Sequence, residues 1–209
     1  MGQSQLKRPD LDLGPQFKKV DLSTLSSHTP IVGSPATTPS LPPVWTGLWP
    51  DESATQSFAA QLAQALTSWP GGRDARIELR GNLGAGKTTL VRHLLRAAGV
   101  QGRIKSPTYA VVEPHQAGTG ESAWPIWHFD FYRFSDPQEW EDAGFRDIFA
   151  GPGLKLMEWP DKVAGQLPPA DLVIELHALD EDQRQVRMSA QTPAGQQWLT
   201  VWMEGEHAR

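Results

Sequence analysis

One ten-residue stretch limits what this chain can become more than anything else in it: Gly81-Asn82-Leu83-Gly84-Ala85-Gly86-Lys87-Thr88-Thr89-Leu90. It fits the pattern Gly, four residues, Gly-Lys-Ser/Thr without a mismatch. Upstream, Ala75-Arg76-Ile77-Glu78-Leu79-Arg80 alternates as a short strand does. Downstream, Leu90, Val91, Leu94, Leu95 and Ala98 recur at helical spacing until Gly99. A strand, a glycine-rich turn and a helix start together make an anion cradle. The glycines let the backbone wrap so that successive N–H groups point inward. The helix start adds unpaired donors and the positive end of its dipole. Lys87 then brings a point charge to the β/γ-phosphates, and the Thr88 hydroxyl is placed to ligand a magnesium ion. The bland alternative is a strand-to-helix turn that binds nothing. It would have no use for a lysine and a threonine at these two positions.

Composition narrows the remaining choices. The chain has 209 residues and nine tryptophans, enough for one domain of ordinary size with a real core. Its formal net charge of −5 gives no support for a subunit that grips nucleic acid by itself. Without cysteine there are no disulfides and no thiolate metal sites. No apolar run is long enough to span a bilayer, and Leu6 stands where myristoylation of Gly2 would want Ser or Thr. A soluble, cytoplasmic protein is expected. Residues 1–43 are rich in Pro, Ser and Thr with no sustained period, and are expected to form a disordered tail. A partner-binding arm using Phe17-Lys18-Lys19-Val20, or a reading frame begun too early, are the alternatives. Residues 44–205 are the expected domain.

Within that domain Trp45 to Trp49 reads as a strand. Asp51 or Ser53 then caps a helix, with Gln56 completing a capping box after Ser53, and Phe58, Leu62, Ala65 and Leu66 form its buried stripe. With the strand, loop and helix that follow, this is the order of an α/β domain. A further strand is expected around Tyr109 and Val111, after the Ser106-Pro107 break. Trp124 to Phe134 alternates for its whole length, with Ile126, His128, Asp130 and Tyr132 on one face and Trp127, Phe129, Phe131 and Arg133 on the other. Asp130 is an acid inside an apolar strand and so needs a metal, or a partner such as Arg133. Asp136-Pro137 reads as a helix start, and Phe145 to Phe149 as a short second helix. Leu154 to Asp161 is another strand ending in an acid, Glu158, and an aromatic, Trp159. Glu158 reads as a metal-shell carboxylate, a water-orienting group or a solvated strand end. Leu172 to Leu176, Val186 to Ala190 and Trp198 to Met203 read as three more strands, the first two a hairpin about Asp180 to Gln183. No chemistry is expected there.

Taken together these residues resemble the bacterial TsaE (YjeE) family, the ATPases of tRNA threonylcarbamoyladenosine biosynthesis. Four blocks in order carry the resemblance: Gly81 to Thr89, Ser106-Pro107-Thr108-Tyr109, His128-Phe129-Asp130-Phe131-Tyr132-Arg133 and Glu158-Trp159-Pro160. It covers roughly 45–205. The first block is shared by many NTPases; the ordered set is far more specific. The resemblance implies a P-loop NTPase-like three-layer α/β fold, with a central, mostly parallel sheet extended by antiparallel C-terminal strands. It implies ATP and Mg2+ as cofactors and two partner proteins, TsaB and TsaD. TsaD transfers a threonylcarbamoyl group to adenosine 37 of tRNA, and ATP hydrolysis resets the complex between rounds. tRNA is then met only through the partners, which suits the negative charge. By resemblance, Asn82, Leu83, Gly84, Ala85, Gly86, Lys87, Thr88, Thr89 and Trp159 surround the nucleotide. Thr88, Glu158 and Asp130 belong to the magnesium shell, and Thr108 to a switch-like loop near the γ-phosphate. Asn82 departs from the Asp often found in the family. His128 is read as structural.

Three other readings are weighed. A small-molecule kinase of the same class needs an acceptor pocket and an Arg-bearing lid, whereas the arginines here are scattered, with Arg92 and Arg96 on the helix after the loop. A GTP-driven switch needs Asn-Lys-x-Asp and Asp-x-x-Gly, and neither occurs. A non-catalytic module that merely keeps the loop is at odds with Lys87, Thr88, Asp130 and Glu158 all being present. Arg133 is the one weak candidate for an arginine finger in cis, so slow turnover by the chain alone, accelerated by partners, is expected.

Overall fold

The computed structural model describes residues 42–107, 110–134, 139–140 and 143–207. Seven strands lie in the order β1-β7-β6-β2-β5-β4-β3. The middle four, β6 (Leu172–Ala178), β2 (Arg76–Arg80), β5 (Leu154–Glu158) and β4 (Trp124–Asp130), run parallel. Antiparallel strands flank them: β7 (Arg184–Ala190) and β1 (Val44–Trp49) on one side, β3 (Val112–Ala117) on the other. The expected α/β fold is present, with parallel strands at its centre and the antiparallel extension on both flanks.

Alternation along the parallel strands divides the core in two. Ile77, Leu79, Ile126, Leu154 and Leu156 face α1 (Glu52–Ser68), α2 (Lys87–Ala97) and α4 (Pro193–His207). Phe129 and Met157 point the other way, into an aromatic cluster with Phe131, Trp140 and the Phe145 and Phe149 of α3 (Phe145–Ala150). The resulting arrangement is helix, sheet, helix. β4 and β5 are covered on both sides, so their residues are buried or half-buried throughout, His128, Asp130, Lys155 and Glu158 included.

Several boundaries differ from the sequence reading. Asp51 alone caps α1, its carboxylate accepting from the Ala54 N–H at 3.0 Å, so the Ser53–Gln56 box is not used. β4 ends at Asp130 rather than at Phe134: the Phe131 N–H makes the last ladder bond to β5, to the Glu158 carbonyl at 3.1 Å, and the chain then turns at Tyr132. β3 starts at Val112, after Val111 bends the chain with φ of 66°; Tyr109 lies outside the described residues. So does the expected helix start at Asp136-Pro137.

The clearest correction is Trp198 to Met203, which is helix and not strand. Trp198, Leu199 and Trp202 are buried while Val201 is 50% exposed, a spacing that only a helix produces. Trp198 stacks on Trp69 at 5.6 Å and Trp202 meets Phe58 at 5.2 Å, so α4 closes the core beside α1. Thr192 caps it, its Oγ1 accepting from the Gly195 N–H, and Pro193 occupies the first helical position.

Candidate nucleotide site

All four parallel strands end at the same edge of the sheet, where open α/β sheets place their ligands. The glycine-rich loop leaves β2 at this edge and enters α2. Gly81 cannot carry a side chain, since a Cβ there would sit 2.3 Å from the Leu176 carbonyl oxygen of β6. Gly86 has φ of 101° and stands just before α2, so the loop turns into the helix through a left-handed residue.

Beside the loop lies a cavity of about 290 Å³. Leu83, Gly84, Gly86, Lys87, Thr88 and Thr89 wall one side; Ser106, Asp130, Tyr132, Glu158 and Trp159 wall the other. The sequence had separated these groups by up to 76 positions. The β4–β5 register joins them, pairing Asp130 with Glu158 on adjacent strands with both carboxylates turned toward α2.

Lys87 is buried, with 4% of its surface exposed. Its Nζ donates to the carbonyls of Gly81 at 2.7 Å and Asn82 at 3.0 Å, and lies 3.9 Å from the centre of the Trp159 ring. Burial holds its pKa below the usual lysine range, against the pull of Glu158 and Asp130. Thr88 Oγ1 donates to Glu158 Oε2 at 2.8 Å, and Glu158 Oε1 meets His128 Nε2 at 2.8 Å. Asp130 Oδ1 accepts the Tyr132 N–H, at 3.1 Å. Burial is the main cause of its raised pKa; neighbouring Glu158 pushes the same way, while the Tyr132 N–H, His128 and Lys87 oppose it. A hydroxyl and two carboxylates are hard oxygen donors, the set that suits magnesium, and with so few protein ligands a nucleotide's phosphates would complete the shell.

Trp159 takes φ of 59°, a left-handed conformation uncommon for a side chain of this size, and Pro160 follows it at the start of a short 3₁₀ turn. This turns its ring back over Lys87 and against Tyr132, 5.0 Å away. Of the residues singled out from sequence, Lys87, Thr88, Asp130, Glu158 and Trp159 meet round one cavity. Asn82 takes part through its carbonyl, and Ala85 lies buried behind the loop. Thr108 falls outside the described residues. Arg133, on the turn after β4, does not line the cavity.

Two residues were given no chemistry by the sequence reading yet bear on the site. His128, read as structural, is fully buried and bonded to Glu158. Its place two residues before Asp130, on the same face of β4, was the available signal. Arg184 belongs to the β6–β7 hairpin, and its Nε donates to the Ala85 carbonyl at 3.2 Å. Nothing local in the sequence points to that contact. Behind the loop, Trp49, Glu52, Thr55, Glu181, Asp182 and Arg184 enclose a second recess of about 120 Å³, which shares Gly86 and Thr89 with the first.

Residues 49–186 match the family described as Threonylcarbamoyl adenosine biosynthesis protein TsaE. A tRNA threonylcarbamoyladenosine biosynthesis protein TsaE from Haemophilus influenzae is 39% identical over 153 residues, spanning 73% of this chain and 94% of the relative. The protein of that name from Aquifex aeolicus is 34% identical over 139 residues, 66% of this chain and 90% of the relative. The crystal structure of YdiB from Bacillus subtilis has the same fold, with a TM-score of 0.60 at 24% identity, over 80% of this chain and 99% of that one.

Proposed function

The chain belongs to the TsaE family, and from that premise we propose that it is a magnesium-dependent ATPase that serves tRNA threonylcarbamoyladenosine biosynthesis with TsaB- and TsaD-like partners. The observation that supports this reading best is the chain of contacts from Thr88 through Glu158 to His128, opening on the same cavity as Lys87. It unites a phosphate cradle with hard oxygen donors, as hydrolysis of a nucleoside triphosphate requires.

The residues divide the work as follows. Main-chain N–H groups of the loop and the start of α2 hold the phosphates, and Lys87 leaves the carbonyls of Gly81 and Asn82 to neutralise the β- and γ-oxygens. Thr88 and Glu158 would hold magnesium, with Asp130 beside them. When bound there, the ion polarises the phosphoryl oxygens and offsets the charge that develops on them. Asp130, with its raised proton affinity, orients the attacking water. Trp159 and Tyr132 shield the cavity mouth from bulk water. The rest of the nucleotide would extend past Gly86 and Thr89 toward the second recess, which Trp49, Glu52 and Thr55 help to line.

Among the described residues no arginine lines the phosphate cavity, so Lys87 is the one cationic side chain there to act beside the metal until a partner adds another. Phosphate release by the isolated chain is expected to be slow and to rise when purified TsaB and TsaD proteins are added. Calorimetry with Mg-ATP and Mg-ADP is the more basic test. Failure of the folded chain to take up either nucleotide defeats the whole reading, while uptake with fast partner-independent turnover defeats only the coupling to partners.

A further inference from the structure

The floor beneath the phosphate loop comes from the far end of the chain. Gly81, where the loop begins, is pressed against the Leu176 carbonyl of β6. Ala85, where it ends, gives its carbonyl to Arg184 Nε at 3.2 Å. The same guanidinium gathers the hairpin that joins β6 to β7, with Nη1 3.1 Å from the Asp180 carbonyl and 3.0 Å from those of Glu181 and Gln183. One side chain therefore ties a tight turn to the loop. The turn has its own internal brace, since Asp180 Oδ1 accepts from the N–H groups of Asp182 at 2.9 Å and Gln183 at 2.7 Å.

The geometry of the peptide unit makes this tie consequential. In a trans peptide the C=O and the N–H point in opposite directions. Holding the Ala85 carbonyl toward Arg184 therefore turns the Gly86 N–H away from the guanidinium, on a residue that borders the cavity Lys87 and Thr88 also line. That N–H has no hydrogen-bond partner among the described residues. The guanidinium also lies close behind the loop: a Cβ at Gly86 would be 3.7 Å from Arg184 Nε.

We infer that Arg184 is a positioning residue of the nucleotide site, through which the β6–β7 hairpin sets the orientation of the loop's phosphate-binding N–H groups. The inference rests on the nucleotide reading above and deepens it. The loop is not shaped by its glycines alone. They permit a range of backbone conformations, and Arg184 selects the one in which Gly86 faces the phosphate. Anything that shifts the hairpin then changes the orientation of those N–H groups, and with it nucleotide affinity.

The test is Mg-ADP calorimetry on the full chain, with a thermal melt of each variant alongside. Arg184→Ala is expected to weaken Mg-ADP about tenfold, as for one well-placed charged hydrogen bond, with the melting temperature little changed. Arg187→Ala, three residues along the same strand and paired with Glu175 at 2.5 Å, is expected to bind as the parent does. Asp180→Ala touches neither loop nor cavity, yet should also weaken binding, by loosening the turn that Arg184 grips. In the double variant the two losses should not add, because both break one linkage. Arg184→Lys, which can reach one carbonyl but not four, should fall between the parent and Arg184→Ala, and it serves if the alanine variant does not fold. Parent-like binding by Arg184→Ala, or by Arg184→Lys in its place, overturns the inference while leaving the nucleotide site standing. Fully additive losses overturn it as well, because Arg184 would then act on the nucleotide directly. No uptake by the parent chain points instead to failure of the nucleotide reading itself.

Discussion

Lys87 and Lys155 are both buried, 4% and 2% exposed, and they sit at opposite ends of the parallel strands. Burial is the main cause of a lowered pKa in each. Their surroundings differ. Lys155, near the start of β5, donates to the Gly151 carbonyl that ends α3 and has Asp74 as its nearby opposite charge. Other polar groups at that end are likewise matched to main chain: Asp171 accepts from the Arg76 N–H at 2.9 Å and from Thr192 Oγ1 at 2.7 Å, and Asp74 accepts from the Gly153 N–H at 2.6 Å. At the upper end Lys87 rests on two loop carbonyls beside an open cavity, and two carboxylates face each other across the strand register. Polar groups at the lower end hold elements together. Those at the upper end are assembled against their own electrostatic interest, as expected of a site completed by a ligand.

If that contrast is right, the two lysines fail differently when removed. Lys87→Ala should weaken Mg-nucleotide binding about 100-fold, the worth of a charged contact of ~2.7 kcal/mol. Its melting temperature should hold or rise, because a desolvated charge is gone. Calorimetry and a melt on the same sample check both, and an unfolded Lys87→Ala breaks the contrast. Lys155→Ala should show the reverse: a stability loss of about 2 kcal/mol, or roughly 4–8 °C in Tm, with nucleotide affinity unchanged for the folded fraction.

The upper end was the more legible of the two from sequence, and the reason is physical. A phosphate cradle demands glycine where a Cβ would strike Leu176 or where φ is strongly positive, and such demands leave a fixed spacing in the chain. Asp130 stood out because an acid among aromatics has no cheap structural excuse. The meeting of Asp130 with Glu158 was not legible, because parallel register is set by a long crossover and leaves no local mark. Nor was the matching of Lys155 to Gly151. The C-terminal helix was legible and misread: Thr192-Pro193 announces a helix start, but the dense apolar run from Trp198 to Met203 also fits a strand when its starting signal is passed over.

A smaller effect separates His128 from an ordinary core residue. Among the described residues its one side-chain hydrogen bond is to Glu158, at 2.8 Å, so His128→Leu should loosen that carboxylate without removing any group from the cavity. The magnesium concentration that supports half-maximal nucleotide binding should rise about tenfold, as for other residues that orient a metal ligand. Binding of ADP without magnesium should not change. An equal loss with and without the metal would put His128 with Lys155, among the groups that merely hold the fold.

Asp130 gives the smallest and most discriminating effect, because its sign is opposite to that of most core substitutions. Its folded pKa is raised above the unfolded value, chiefly by burial and with help from Glu158. Such a group favours folding fully only below its unfolded pKa, and the contribution is lost as pH rises through the folded pKa. At neutral pH the ionised carboxylate is therefore a burden on the ligand-free chain. Asp130→Asn keeps an oxygen for the Tyr132 N–H and sheds the charge, so it should be more stable than the parent by ~1 kcal/mol, about 2–4 °C in Tm, while hydrolysis fails. The gap should close below about pH 4, where the parent's Asp130 is protonated in both states. A chain that is stabilised by losing an acid at one end of its sheet, yet destabilised by losing a lysine at the other, keeps its strain where the ligand binds.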